Sequence, residues 1–341
     1  IPYGSQCLDE DDIAAVVEVL RGSWLTTGPT VARFEDELAR SCGVTHAVAV
    51  NSGTAALHVA YHAAGLKAGD ELITSPLTFA ATANAALYLG ASVRFVDVLE
   101  DTGNICPEGV RDALSDKTRV IAPVDYAGHP ADYRRLSPIA KEAGVKLVAD
   151  AAHSLGAHYH GRPVGTLADL SALSLHPIKP ITTGEGGAVV TQDAEAAEAA
   201  RSFRSHGFIR DPSRMRRQDE GPWYAEQHVL GFNYRLTDIQ SGLGLSQLGK
   251  LAAFIKRRQA IAARYLDALA DIEGLTLPTI RPGVDSGWHL FAVRVPEARY
   301  RRPLFDRLRE LGLGVQVHYL PVYLHPYYEA LGYTPGLCPR A

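Results

Sequence analysis

From Thr45 to Asp150 the chain alternates short, nearly unbroken apolar runs with stretches of helical period, and this alternation leaves few folds open to it. HAVAVN, ELITS, SVRFVDV, RVIAPV and KLVAD read as strands. Between them, residues 52–65, 78–90, 108–114 and 131–143 read as helices, the first two stopped by glycine. Strands apolar on both faces and linked by helices predict an α/β fold, a mostly parallel sheet with helices over both sides. In such sheets ligands bind beyond the carboxyl ends of the strands. Asn51 to Thr54, Thr78, Phe79 and Asp150 all fall at such ends.

The flanking segments complete the outline. An N-terminal arm leads to a helix that Asp9 or Asp12 can cap, with Ile13, Val16, Val17 and Leu20 as its apolar stripe. A turn-rich stretch around Trp24 precedes a helix over residues 31–41. After Asp150 a run SALSL leads to Lys179, then GGAVVT reads as a strand and residues 193–204 as a helix. The polar stretch 211–221 reads as a mobile loop; it holds most of an Arg-rich patch (210–217) that is interrupted by Asp211 and followed by Asp219 and Glu220. Thr237 caps a long helical region. A composition shift over 272–283 predicts a boundary: an arm and large domain at 1–271, and a smaller α+β domain at 272–341. In the latter, WHLFAVRV and LGVQVHYL read as strands around the helix RPLFDRLRELG.

A net charge of −4 gives no footing for nucleic acid or an anionic membrane, which call for a clustered basic face. The four cysteines form no C-x-x-C pair, which speaks against a disulfide framework or structural zinc site. No apolar run approaches membrane-spanning length, no signal peptide precedes Ile1, and the missing initiator Met suggests a trimmed start. Together these predict a cytoplasmic protein.

Lys179, in a Gly- and Thr-rich turn between two strands, needs a reason, because a lysine is expensive to bury unless paired or used. One reason is a Schiff base with an aldehyde cofactor whose ring nitrogen is met by Asp150. On these two residues alone, a surface lysine and a helix-capping aspartate is the stronger reading. Ser52, Gly53 and Thr54 stand where a strand gives way to a helix, which suits an anion as well as an ordinary cap. Phe79 is either a stacking platform or core. Gly242-x-Gly244 lies within a helical pattern, and GEGG lacks the Lys-Ser/Thr of a phosphate loop, so neither is a nucleotide fingerprint. His158 and His160 have same-face spacing but no third ligand at metal-binding distance in sequence.

NSGTAALH, TFAATANA, VDYAG, DAAHSLGA, SLHPIKPITTGEGGAVVT, RSHG and GFNYRLTDIQSGLGLSQL together resemble the DegT/StrS-type sugar aminotransferases. CLDEDD, VDYAGH, the proline of HPIKPITT, IQSGLGLSQL and VQVHYLPVY are closest to the branch serving pseudaminic acid synthesis. The resemblance runs from about Tyr3 to the end. It implies the aspartate aminotransferase fold (type I) and pyridoxal 5'-phosphate, with pyridoxamine phosphate as its aminated form. It implies L-glutamate as donor and, as acceptor, a UDP-linked 4-keto-6-deoxy-N-acetylhexosamine; a dTDP-linked or 3-keto sugar is the alternative. Lys179 is implied as the Schiff-base and proton-shuttling residue, Asp150 as the partner of the pyridinium nitrogen, and His153 as a neighbour of the phenolic oxygen. Phe79 would stack on the ring, and Gly53, Thr54 and Ser174 would hold the phosphate, with Asn233 reaching over from a second subunit of a homodimer. Sugar-nucleotide contacts are implied at Tyr3, Ser23, Trp24, Leu25 and Thr26, and at Gln316, Val317, His318 and Tyr319. Family members run a few tens of residues past the position of Ala341, so the small domain is expected to be incomplete; Leu175 stands where Phe is common. A dehydratase of this fold carries histidine in place of the lysine, and a ligand sensor has no need of the intact lysine–aspartate–phosphate set.

Overall fold

The structure, a computed structural model, describes residues 1–217 and 220–341. Its central sheet contains β1 (His46–Val50), β2 (Glu71–Thr74), β3 (Ser92–Phe95), β4 (Thr118–Ala122), β5 (Lys146–Asp150), β6 (Leu170–Ser174) and β7 (Gly187–Thr191). The spatial order is β1-β7-β6-β5-β4-β2-β3. Neighbours from β6 to β3 pair in parallel, whereas β7 runs antiparallel to both β6 and β1. The reversal of β7 leaves no trace in its composition, since GAVVT is equally apolar in either direction.

Around the sheet lie α1 (Glu10–Arg21), α2 (Pro29–Cys42), α3 (Gly53–Ala63), α4 (Ala81–Tyr88) and α5 (Pro107–Ala113). They are followed by α6 (Tyr133–Ala143), α7 (Ala194–Phe203), α8 (Asp238–Ala268), α9 (Ala298–Glu310) and α10 (Pro326–Ala330). Strand alternation divides the core in two. Ala47 and Ala49 of β1, with Ile121 and Leu147, pack beneath α2 and α6; Val48 and Val50, with Leu72 and Val148, pack beneath α3 and α4. Each fully buried Leu, Ile or Val contributes roughly 1.5–3 kcal/mol, so both faces hold their helices and the strand ends cannot drift. Arg204 bonds the Ala49 carbonyl at 2.6 Å and pairs with the buried Glu35, which accepts the Ala49 N–H at 2.8 Å, tying α7, β1 and α2 together.

Local signals account for most helix starts. Ser52 accepts the Ala55 N–H at 3.0 Å to cap α3, and Thr237 and Gln240 form a reciprocal capping box on α8. Gly244 belongs to helix packing: a Cβ there would lie 2.7 Å from the Phe34 ring of α2.

Two expectations need correction. The capping aspartate of α1 is Asp9, and the helix buries Asp12, paired with Lys250 at 2.9 Å, while Ile13 and Leu20 stay exposed. Val16 and Val17 are half-buried, so only part of the apolar stripe is covered. WHLFAVRV and LGVQVHYL form no strands; the first makes one isolated bridge, Thr276 with Arg294, because neither run meets a partner ladder among the described residues. Within 211–221, residues 212–214 form a 3-10 turn, and the Arg216 and Arg217 N–H groups donate to Glu226 at 2.8 and 2.7 Å. Asp219 lies outside the described residues. Val322, Tyr323, Tyr328 and Cys338 return to the core beside Val93 and Phe95. No helix among the described residues is long and apolar enough to cross a membrane.

Candidate active site

The backbone of β5 places Asp150 with little freedom. Its N–H donates to the Pro123 carbonyl at 2.9 Å, its carbonyl accepts the Asp125 N–H at 3.1 Å, and its register partner in β6 is Ala172. The side chain is buried; Oδ2 accepts from the Thr82 hydroxyl at 2.6 Å and Oδ1 from the Ala152 N–H at 3.2 Å. Burial raises its pKa, opposed by those two donors and by the charge of Lys179. An acid so placed is well suited to a cationic ring N–H.

Lys179 sits in the turn between β6 and β7, its N–H donating to the His176 carbonyl at 2.9 Å. Burial drives its pKa down to about 8, against the pull of Asp150. Burial, and after it the nearby Lys179 charge, lowers the pKa of His153, His318 and His289. His153 is buried, with Nε2 3.4 Å from the Tyr319 hydroxyl and Nδ1 without a partner.

The phosphate cradle is a matter of space. A Cβ on Gly53 would lie 2.8 Å from Ser174 Cβ, so only glycine lets the start of α3 approach the end of β6 this closely. Thr54 follows in the first turn of α3, where free N–H groups favour an anion. Phe79 is 65% exposed, which rules out core packing and leaves a ring face open. Asn233 is also exposed, and its carbonyl accepts from the Asn51 amide at 3.4 Å. Cradle, open ring face, orphaned imidazole nitrogen, buried acid and half-buried lysine together fit pyridoxal phosphate.

Over this floor, the Tyr3 hydroxyl lies 2.8 Å from His318 Nε2, the two rings stack at 5.3 Å, and Tyr126 donates to the His318 carbonyl at 2.6 Å. Gln316 and Val317 are exposed beside them. Leu25 accepts the Asp238 N–H at 3.0 Å and Thr26 bridges Thr237, which ties the segment of Ser23, Trp24, Leu25 and Thr26 to the start of α8.

Thr82, Asp125, Tyr126 and His289 went unread in the sequence. Asp125 and Tyr126 follow β4, so the strand-end rule that flagged Asp150 reaches them too. Thr82 lies one turn beyond Thr78, their hydroxyls 2.7 Å apart. His289 carried no signal.

The chain belongs to the DegT/DnrJ/EryC1/StrS aminotransferase family, whose model matches residues 6–341. It is therefore an aminotransferase, and its cofactor is pyridoxal phosphate. It is 39% identical over 336 residues (97% of this chain, 86% of the relative) to the UDP-4-amino-4,6-dideoxy-N-acetyl-beta-L-altrosamine transaminase of Campylobacter jejuni subsp. jejuni serotype O:23/36. Helicobacter pylori PseC, an aminotransferase involved in the biosynthesis of pseudoaminic acid, superposes with a TM-score of 0.90 at 35% identity, covering 97% of this chain and 88% of that one. Spr1654 of Streptococcus pneumoniae in its PMP form gives 0.93 at 29% identity, covering 100% and 90%, and has also been solved in a PLP form.

Proposed function

We propose that this aminotransferase moves the amino group of L-glutamate to the C4 ketone of a UDP-linked 4-keto-6-deoxy-N-acetylhexosamine, as in pseudaminic acid biosynthesis, and that it works as a cytoplasmic homodimer. The observation that carries the chemistry is the buried Asp150 with its Thr82 bond beside a Lys179 whose pKa has fallen to about 8. The sugar is supported by the 39% identity to a transaminase named for a UDP-aminodideoxy sugar and by the likeness to PseC.

When bound, the cofactor supplies an aldehyde carbon that takes up an amine and a ring that stores the electron pair released at the substrate carbon. Asp150 would hold the proton on the ring nitrogen and so keep the ring electron-poor. Gly53, Thr54 and Ser174 would hold the phosphate, and Phe79 would cover one ring face. The lowered pKa gives Lys179 a usable neutral fraction near pH 7, so its amine can take a proton from the amino acid α-carbon and later return one to the sugar carbon. His153 would stand by the phenolic oxygen. Tyr3, Ser23, Trp24, Leu25 and Thr26, with Gln316, Val317, His318 and Tyr319, face the sugar nucleotide. The exposed Asn233 reaches the phosphate of a second subunit, which makes each site a joint product of two chains. The chain divides near residue 272 into a cofactor-binding body and a smaller substrate-facing part.

The test is incubation of the enzyme with L-glutamate and a panel of UDP- and dTDP-linked 4-keto and 3-keto sugars, read by mass spectrometry. Amination of the UDP-4-keto-6-deoxy-N-acetylhexosamine with the highest kcat/KM is expected. A dTDP-linked or 3-keto sugar used faster sinks the assignment.

A further inference from the structure

His289 is a buried imidazole for which the proposed reaction has no use. Its ring lies 4.3 Å from that of His153, tilted by 36°, and the Nδ1 atoms of both rings are buried without partners among the described residues. The segment bearing it is pinned from the large body: Gly287 N–H donates to the Gly128 carbonyl at 2.9 Å, the Ser286 hydroxyl to the same carbonyl at 3.0 Å, and Leu290 N–H to the Ala127 carbonyl at 3.2 Å. Arg258 of α8 adds a bond to the Trp288 carbonyl at 3.3 Å. These bonds fix the His289 backbone, and the ring follows. On its other side His153 has one weak partner, the Tyr319 hydroxyl at 3.4 Å. The His289 ring is the nearer of the two rings beside His153, Tyr319 lying at 6.4 Å, and so restrains how the His153 ring turns.

We propose that His289 is a positioning residue, holding the His153 ring in the orientation that leaves a ring nitrogen free for the cofactor. The proposal rests on the placement of the cofactor beside His153 given above. The charged and titratable groups facing the pair are Lys179, His318, Tyr319 and Arg258. With cations on that list and water excluded, burial first and the neighbouring charges second keep both rings neutral.

The experiment needs neither sugar nor amino donor, so a wrong substrate assignment leaves it intact. Pyridoxal phosphate affinity and the pH midpoint of the bound cofactor's visible absorbance are measured for wild type, H153A, H289A, H289F and the double variant H153A/H289A. H289A is expected to weaken cofactor binding about tenfold, the size of one lost polar contact. Its midpoint moves to lower pH, because a loosened, hydrated His153 can take a proton and disfavours a second positive charge nearby. H289F keeps a ring against His153 and stays within about threefold of wild type, and the double variant binds no more weakly than H153A, since the effect passes through that ring. Should H289A fail to fold, as judged by melting of the cofactor-free protein, H289N against H289F compares no ring with ring. Full additivity in the double variant, or wild-type behaviour of H289A (of H289N in its place), overturns the proposal while leaving the cofactor placement standing. A silent H153A overturns both.

Discussion

Below the cofactor position, two buried carboxylates in the core, Asp150 and Asp125, each hold their own hydroxyl donors and are joined through one backbone bond. The Ser154 and Tyr133 hydroxyls donate to Asp125 at 2.6 and 2.8 Å, as Thr82 does to Asp150. Above it, Tyr3, Val317 and Leu320 are 37%, 47% and 50% exposed, and Tyr3 meets His318 across 315 positions of sequence through one hydrogen bond and one stacked ring pair. The floor is positioned by strand ends that hydrophobic burial holds fixed. The roof is assembled from the arm and the 313–320 segment, whose backbones have few bonds to the sheet. A family can thus hold its cofactor chemistry constant in the floor while substrate choice varies in the roof.

If that division holds, changes to the floor strike turnover and changes to the roof strike substrate affinity. Lys179→Ala removes both nucleophile and proton carrier, and a loss of at least about 10³-fold in kcat is expected. The variant should also lose the link to the cofactor that borohydride fixes in the wild type, checked by intact mass; retention of that link breaks the assignment. Asp150→Asn keeps shape but loses the charge facing the ring nitrogen, and a fall in kcat of about 10²–10³-fold is expected with a small change in sugar KM. Below about pH 8 the neutral fraction of Lys179 falls tenfold per pH unit, so the rate at which cofactor-free enzyme captures pyridoxal phosphate should climb to about pH 8 and then level. A plateau starting near pH 10 would mean an exposed lysine. Tyr3→Phe removes the bond to His318 and should raise the sugar KM about two- to tenfold with kcat nearly unchanged. A kcat defect as large as that of Asp150→Asn would erase the distinction between floor and roof.

The same division decided what could be read from sequence. Asp150 closes an apolar run whose periodicity is a local property, so the sheet and its strand ends were legible in the sequence, whereas the roles given to Lys179, Gly53 and Ser174 came through the family resemblance. Thr82 and His289 act through partners far along the chain, Asp150 and His153, and no spacing rule reaches that distance. The stripe on α1 misled because Ile13 and Leu20 are apolar yet exposed, while the buried residue is an aspartate satisfied by Lys250. WHLFAVRV and LGVQVHYL misled in another way: their residues suit strands, but a ladder needs a neighbour.

The reversal of β7 constrains the lysine mechanically. Ser174 and Gly187 sit opposite each other in the ladder, Leu175 N–H donates to the Gly186 carbonyl at 2.9 Å, and Thr183 N–H to the Leu175 carbonyl at 3.0 Å. The excursion bearing Lys179 is therefore anchored at both feet on adjacent rungs, like a handle riveted at each end. Its backbone has little travel, so the reach from one substrate to the next must come from the side chain's own four-carbon stem.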